Sequence, residues 1–114
     1  MNTGQLHEPT TEEILAAAAR AVGADPDTAF QRYNRNMVNK QPENVMARQI
    51  AAHMLRIRGR TLRVIQEACG FRSHSSAYDA SKQPEWWAYF GDDRQLAARL
   101  AERLLAEATG CGDP

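Results

Sequence analysis

Residues 60–80, RTLRVIQEACGFRSHSSAYDA, constrain the fold more than any other part of the chain. Leu62, Ile65 and Ala68 recur at helical spacing, Thr61 stands where an N-cap belongs, and Gly70 follows the last apolar position. Glycine adopts a left-handed backbone at least cost, so it can end one helix and turn the chain sharply. Ser73 then offers a second N-cap, and Ala77, Tyr78 and Ala80 give a second, closely packing helix through about Lys82, with Tyr78 as a partly buried anchor. Two helices of about eight to ten residues joined through glycine make the helix-turn-helix pattern. The second helix opens on Arg72, Ser73, His74, Ser75 and Ser76, short donors and cations that suit a DNA groove.

The remaining pattern is also helical. Thr10 or Thr11 caps a first helix with Glu12 and Glu13 in its first turn, and Ile14, Leu15, Ala18 and Val22 form its apolar stripe up to Gly23. Asp25 followed by Pro26 starts a short helix to about Arg32, packing through Ala29 and Phe30. Residues 33–41 are rich in asparagine, which competes for backbone hydrogen bonds, and read as a loop. With Arg32, Arg35 and Lys40 it is a basic loop, of a kind that rests on phosphates. Pro42 opens the longest central helix, to about Ile57, with Ile50, Met54 and Ile57 as its core line.

After Lys82, residues 84–91 read as an aromatic linker carrying Trp86, Trp87, Tyr89 and Phe90. These rings either staple a final helix over the core or meet a partner. That helix starts at Asp92 or Asp93, and its Leu96, Leu100, Leu104 and Leu105 are to be buried in the domain or in a homodimer. Valine and isoleucine are few and do not alternate, so a sheet has little support. The expectation is an all-α, compact multi-helix domain. Residues 1–10 and 110–114 form tails, 11–82 the helix-turn-helix domain, and 83–109 the aromatic linker with the C-terminal helix.

Net charge is zero, but the charges are segregated. Residues 32–82 carry +7, against −4 before them and −3 after them. A neutral protein can therefore present a basic face, as phosphate contact needs. Arg48 and Gln49, near the front of the central helix, suit guanine, adenine or phosphate, whereas Arg56, Arg58, Arg60 and Arg63 suit non-specific contact. His53 sits mid-helix and reads as structural.

Other functions find little footing. His7, His53 and His74 with Cys69 and Cys111 lack zinc-ligand spacing, and there is no phosphate loop and no nucleophile motif. The expectation is a non-enzyme with no cofactor and no metal. Cys69 reads as a reduced, buried small hydrophobe. No apolar run approaches the roughly 20 residues of a membrane span, and the start of the chain lacks a signal-peptide pattern. A cytoplasmic protein is expected.

Ala47-Arg48-Gln49-Ile50-Ala51, then Leu62-Arg63-Val64-Ile65, Gly70, and Arg72-Ser73-His74-Ser75-Ser76-Ala77-Tyr78-Asp79-Ala80, resemble the C-terminal DNA-binding domain (domain IV) of the bacterial replication initiator DnaA. That domain contains a Trp-repressor-like helix-turn-helix, and the likeness covers residues 11–82. The resemblance implies double-stranded DNA as the partner, with a role in replication or transcription control. His74, Ser75 and Ser76 would face bases or neighbouring phosphates, and Arg48 and Gln49 would meet the DNA from the central helix. Arg72 would brace the helix start against phosphate, and Arg32 or Arg35 would enter the minor groove.

The chain departs from the family pattern at Ser73, Ser75, Ser76 and Asp79, where the family has Asp, a Ser/Thr-Thr pair and His, and at Phe71, which replaces a glycine. The serines lack the methyl that touches thymine, and the Asp79 carboxylate would repel phosphate if it faced DNA. Its DNA preference is therefore expected to differ from the family's. The alternative is a protein-interaction module that keeps the fold without specific DNA binding.

Overall fold

Capping chemistry sets where the helices begin. Thr10 Oγ1 accepts the Glu13 amide at 3.1 Å while the Glu13 carboxylate accepts the Thr10 amide at 2.9 Å, a reciprocal box that starts α1 (Thr11–Val22). Asp25 accepts the Asp27 amide and, with Pro26 in the first turn, opens α2 (Pro26–Ala29). Pro42 opens α3 (Pro42–Ile57), and Thr61 caps α4 (Leu62–Cys69) through the Val64 amide. Ser73 caps α5 (His74–Phe90), and Asp93 precedes α6 (Arg94–Thr109). The computed structural model describes residues 8–31 and 41–110, which form these six helices and contain no strand.

The Ser73 cap carries a measurable share of stability. Its Oγ lies 3.1 Å from the Ser76 amide, which otherwise lacks an intrahelical partner. Ser73→Ala is expected to lower the unfolding free energy by about 1 kcal/mol. Urea denaturation checks it, and an unchanged midpoint would show that the cap contributes nothing.

The domain is all-α and compact, with α3 at its centre packed between α1 and α5, while α6 lies along α1 and α4 rests on α5. The core joins Ile14, Ala17 and Ala18 of α1 to Ile50, Ala51, Met54 and Leu55 of α3. Ile65 and Cys69 of α4, Ala77 and Trp87 of α5, and Ala101 and Leu105 of α6 complete it. Small alanines at these contacts let the axes approach closely, which is why so few large side chains close the core.

Several expectations need correction. Helix α2 ends at Ala29 rather than near Arg32. Ile57 does not belong to the core line, since it is 55% exposed at the end of α3; Ala47, Ile50, Ala51, Met54 and Leu55 form the buried face instead. Tyr78 is 45% exposed, not an anchor. Most importantly, residues 83–90 are not a linker, because α5 runs unbroken from His74 to Phe90 with Pro84 inside it.

An internal proline removes the N–H that the carbonyl four residues earlier would use, and it normally breaks or kinks the helix. Here Pro84 is buried, and His53 Nδ1 donates to the Ser81 carbonyl at 3.2 Å in the turn before it. His53 is thus a structural residue that braces α5 against α3.

Candidate nucleic-acid interface

The turn between α4 and α5 is built on Gly70, whose φ of +78° lies in the left-handed region. A Cβ there would stand 2.3 Å from the Gln31 carbonyl oxygen and 2.8 Å from that of Phe30. The backbone leaving α2 therefore lies directly against the turn, with no room for a side chain. Gln66 Nε2 donates to the Arg72 carbonyl at 3.2 Å and braces the same turn from α4.

Arg48, near the start of α3, reaches this junction too. Its Nη1 donates to the carbonyl of Ala29, the last residue of α2, at 3.0 Å. Burial lowers its pKa, partly offset by neighbouring Cys69. Burial also pushes the Cys69 thiol up to about 12, against the pull of Arg48, so Cys69 is a neutral packing group and not a nucleophile. The end of α2, the front of α3, the end of α4 and the beginning of α5 thus meet at one place.

The first turn of α5 projects from that place. His74, Ser75 and Ser76 are exposed, and no acidic residue occupies this turn to oppose the positive end of the helix dipole. Ser73 is half-buried and committed to capping, and its Oγ also donates to Ser76 Oγ at 3.1 Å. Arg72 is exposed in the turn, and Arg63 is exposed on α4 with Glu67 at 3.4 Å. Gln49 is half-buried beside Arg48. Arg60 Nη2 donates to the Pro9 carbonyl at 2.8 Å, which ties it to the segment before α1. Arg32, Arg35 and Lys40 lie outside the described residues, as does Cys111.

Much of the central positive charge is spent internally. Arg56 pairs with Glu85 of α5, and Arg58 grips Glu102 of α6 with two hydrogen bonds of 2.6 and 3.1 Å while also donating to the Met54 carbonyl. Lys82 lies 3.9 Å from Glu85. The acidic flank therefore folds back onto the basic block and neutralises its rear.

Two residues outside the predicted set continue α5 beyond this first turn, Tyr78 exposed and Lys82 half-buried. Tyr78 follows His74 by one turn, and Lys82 follows Ser75 by two, with its ammonium 5.5 Å from the Tyr78 ring centroid. Helical spacing from the cap was the signal that could have found them. Asp79 is exposed on the same helix.

A groove of about 320 Å³ runs between α3, α5 and α6, lined by Ile50, Met54, Ile57, Pro84 and Ala98 among others. Among the described residues no cluster of His, Cys, Asp and Glu is placed to hold a metal ion, and no helix is long and apolar enough to cross a membrane. No family model, curated protein or solved structure matches the chain.

Proposed function

We propose that the protein binds duplex DNA without catalysing a reaction, through the first half of α5 set in the major groove and the basic loop that follows α2. The supporting observation is the contact of Gly70 with the Phe30 and Gln31 carbonyls, which brings the α4–α5 turn against the residue immediately before Arg32. A helix-turn-helix of the initiator type needs its recognition helix and its loop cations on one side of the domain. His74, Ser75 and Ser76 are the base-edge candidates, with Tyr78 further along α5. Arg63 and Arg72 contact phosphate, joined by Arg32, Arg35 and Lys40 from the loop. Arg48 acts mainly by holding the end of α2 to the front of α3.

Fluorescence anisotropy with duplex DNA across salt tests this reading. Neutralising about four phosphates makes affinity fall about 100-fold between roughly 50 and 200 mM salt. Arg63→Ala and Arg72→Ala are each expected to weaken binding on all sequences and to reduce the salt slope by about 1. His74→Ala is expected to lower preference for a selected site more than overall affinity. Absence of binding at low salt, or binding indifferent to salt, overturns the reading.

A second reading is a protein-interaction module on this fold. It is favoured by the internal pairing of Arg56, Arg58 and Lys82 and by the exposed carboxylate of Asp79. The same salt titration separates the two.

A further inference from the structure

Three residues that depart from the local rules of their helices meet in the groove between α3, α5 and α6. Pro84 stands inside α5, where a proline removes a backbone hydrogen bond. Ile57 ends α3 as a large apolar side chain left 55% exposed. His53 lies in the middle of α3 with Nδ1 on the Ser81 carbonyl, and its Nε2 makes no hydrogen bond among the described residues. All three line one concavity of about 320 Å³, together with Ile50, Met54 and Ala98. Departures of this kind concentrate where a chain does something besides fold.

We propose that this groove binds a small organic acid, a single carboxylate on a compact apolar body, and that Arg99 is the group that holds the carboxylate. Size fits a small molecule. The volume lies at the lower end of the roughly 300–1,000 Å³ range of ligand pockets, and an apolar lining with a few polar groups is their usual composition. None of the lining residues belongs to the first turn of α5, so the site stands apart from the surface proposed for DNA.

Charge selects an acid. From α6 the groove receives Gln95, Arg99 and Glu102. Glu102 is already matched, since Arg58 holds its two oxygens at 2.6 and 3.1 Å. Arg99 has no such partner. Among the described residues it forms no ion pair, and its Nη2 donates to the neutral side-chain oxygen of Gln95 at 2.9 Å. The lining therefore offers one uncompensated positive charge and no uncompensated negative one. A cation finds no free carboxylate there, and a neutral molecule leaves the guanidinium unmatched. A carboxylate fits the planar fork of N–H donors, which the Gln95 bond helps to hold in place.

Titration of the full chain with 1-naphthylacetate, followed by backbone N–H chemical shifts, tests the site, with 1-naphthylacetamide as the uncharged control of the same shape. The acid is expected to bind with a Kd of about 1 mM or tighter, as suits a ligand of this size, and to move the signals of Ile50, Met54, Ile57 and Ala98. The uncharged control is expected to bind about fivefold more weakly, and Arg99→Gln to lower the acid to that level while leaving the control unchanged. Ala88→Leu, which extends an exposed alanine of α5 at the groove, is expected to weaken both ligands together. Ile57→Ser, outside the core, is expected to do the same and gives a second variant if the first disturbs α5. Groove signals that stay still at ten times that concentration overturn the proposal. So do equal affinities for the acid and its control, or undiminished binding in a folded Ala88→Leu or Ile57→Ser variant.

Discussion

Gly70→Ala is expected to lower the unfolding free energy by about 3 kcal/mol, well beyond an ordinary surface change. Two costs add. A residue with a Cβ held in the left-handed region loses roughly 1–2 kcal/mol, and here the Cβ would also stand 2.3 Å from the Gln31 carbonyl oxygen. That obstacle is backbone, not the far end of a flexible side chain, so the α4–α5 turn and the end of α2 must separate. Gly59 supplies the control: its φ is +85°, and no atom lies within 4 Å of the Cβ it would acquire. Gly59→Ala is therefore expected to cost only about 1 kcal/mol, the conformational part alone. Chemical denaturation of both variants measures the difference. Equal losses would mean that the close approach at Gly70 has no energetic weight, and would remove the main support for the proposed function.

What the sequence disclosed of this architecture was mostly local. The box between Thr10 and Glu13, the proline starts at Pro26 and Pro42, the caps at Thr61 and Ser73, and the turn at Gly70 all depend on groups within four residues of one another. Such chemistry can be read along a line. The misreadings at Pro84 and Ile57 came from contacts distant in sequence. Pro84 looked like a boundary because a lone helix loses about 3 kcal/mol at an internal proline. In the fold Pro84 is buried among other helices, and His53 donates to the Ser81 carbonyl in the same stretch of α5. Ile57 looked like core because its spacing from Ile50 and Met54 is helical, yet the alanines at 47 and 51 make a wider buried face that turns away from it.

The charge pattern was legible as segregation but not as pairing. The partners of Arg56 and Arg58 lie 29 and 44 residues away, in the linker and the C-terminal helix that the sequence reading set apart from the helix-turn-helix unit. Part of the +7 of residues 32–82 is therefore matched within the fold. Arg48 was legible as a distinctive residue, but not in its local task, because only the folded chain brings the Ala29 carbonyl to its guanidinium.

Trp87 is the side chain whose removal should hurt the fold most. It is 2% exposed, sits in the common core, and has the Arg94 guanidinium 5.0 Å from its ring centroid. Trp87→Ala is expected to cost about 4 kcal/mol, a large part of the 5–15 kcal/mol that holds a typical domain together. Trp87→Phe is expected to cost far less, about 1 kcal/mol, because most of the packing survives and because the indole Nε1 makes no hydrogen bond among the described residues. Its neighbour provides an internal optical control. Trp86 is half-exposed and emits from a wet environment, whereas Trp87 emits from a dry one. Trp87→Phe should therefore shift the native fluorescence to longer wavelength while leaving the helical signal intact, and Trp86→Phe should shift it the other way. If Trp87→Phe is as destabilising as Trp87→Ala, the indole nitrogen holds the fold by a specific bond and packing is not the main contribution of this residue. If the two phenylalanine variants shift emission in the same direction, the division of this tryptophan pair into an inner and an outer ring is wrong.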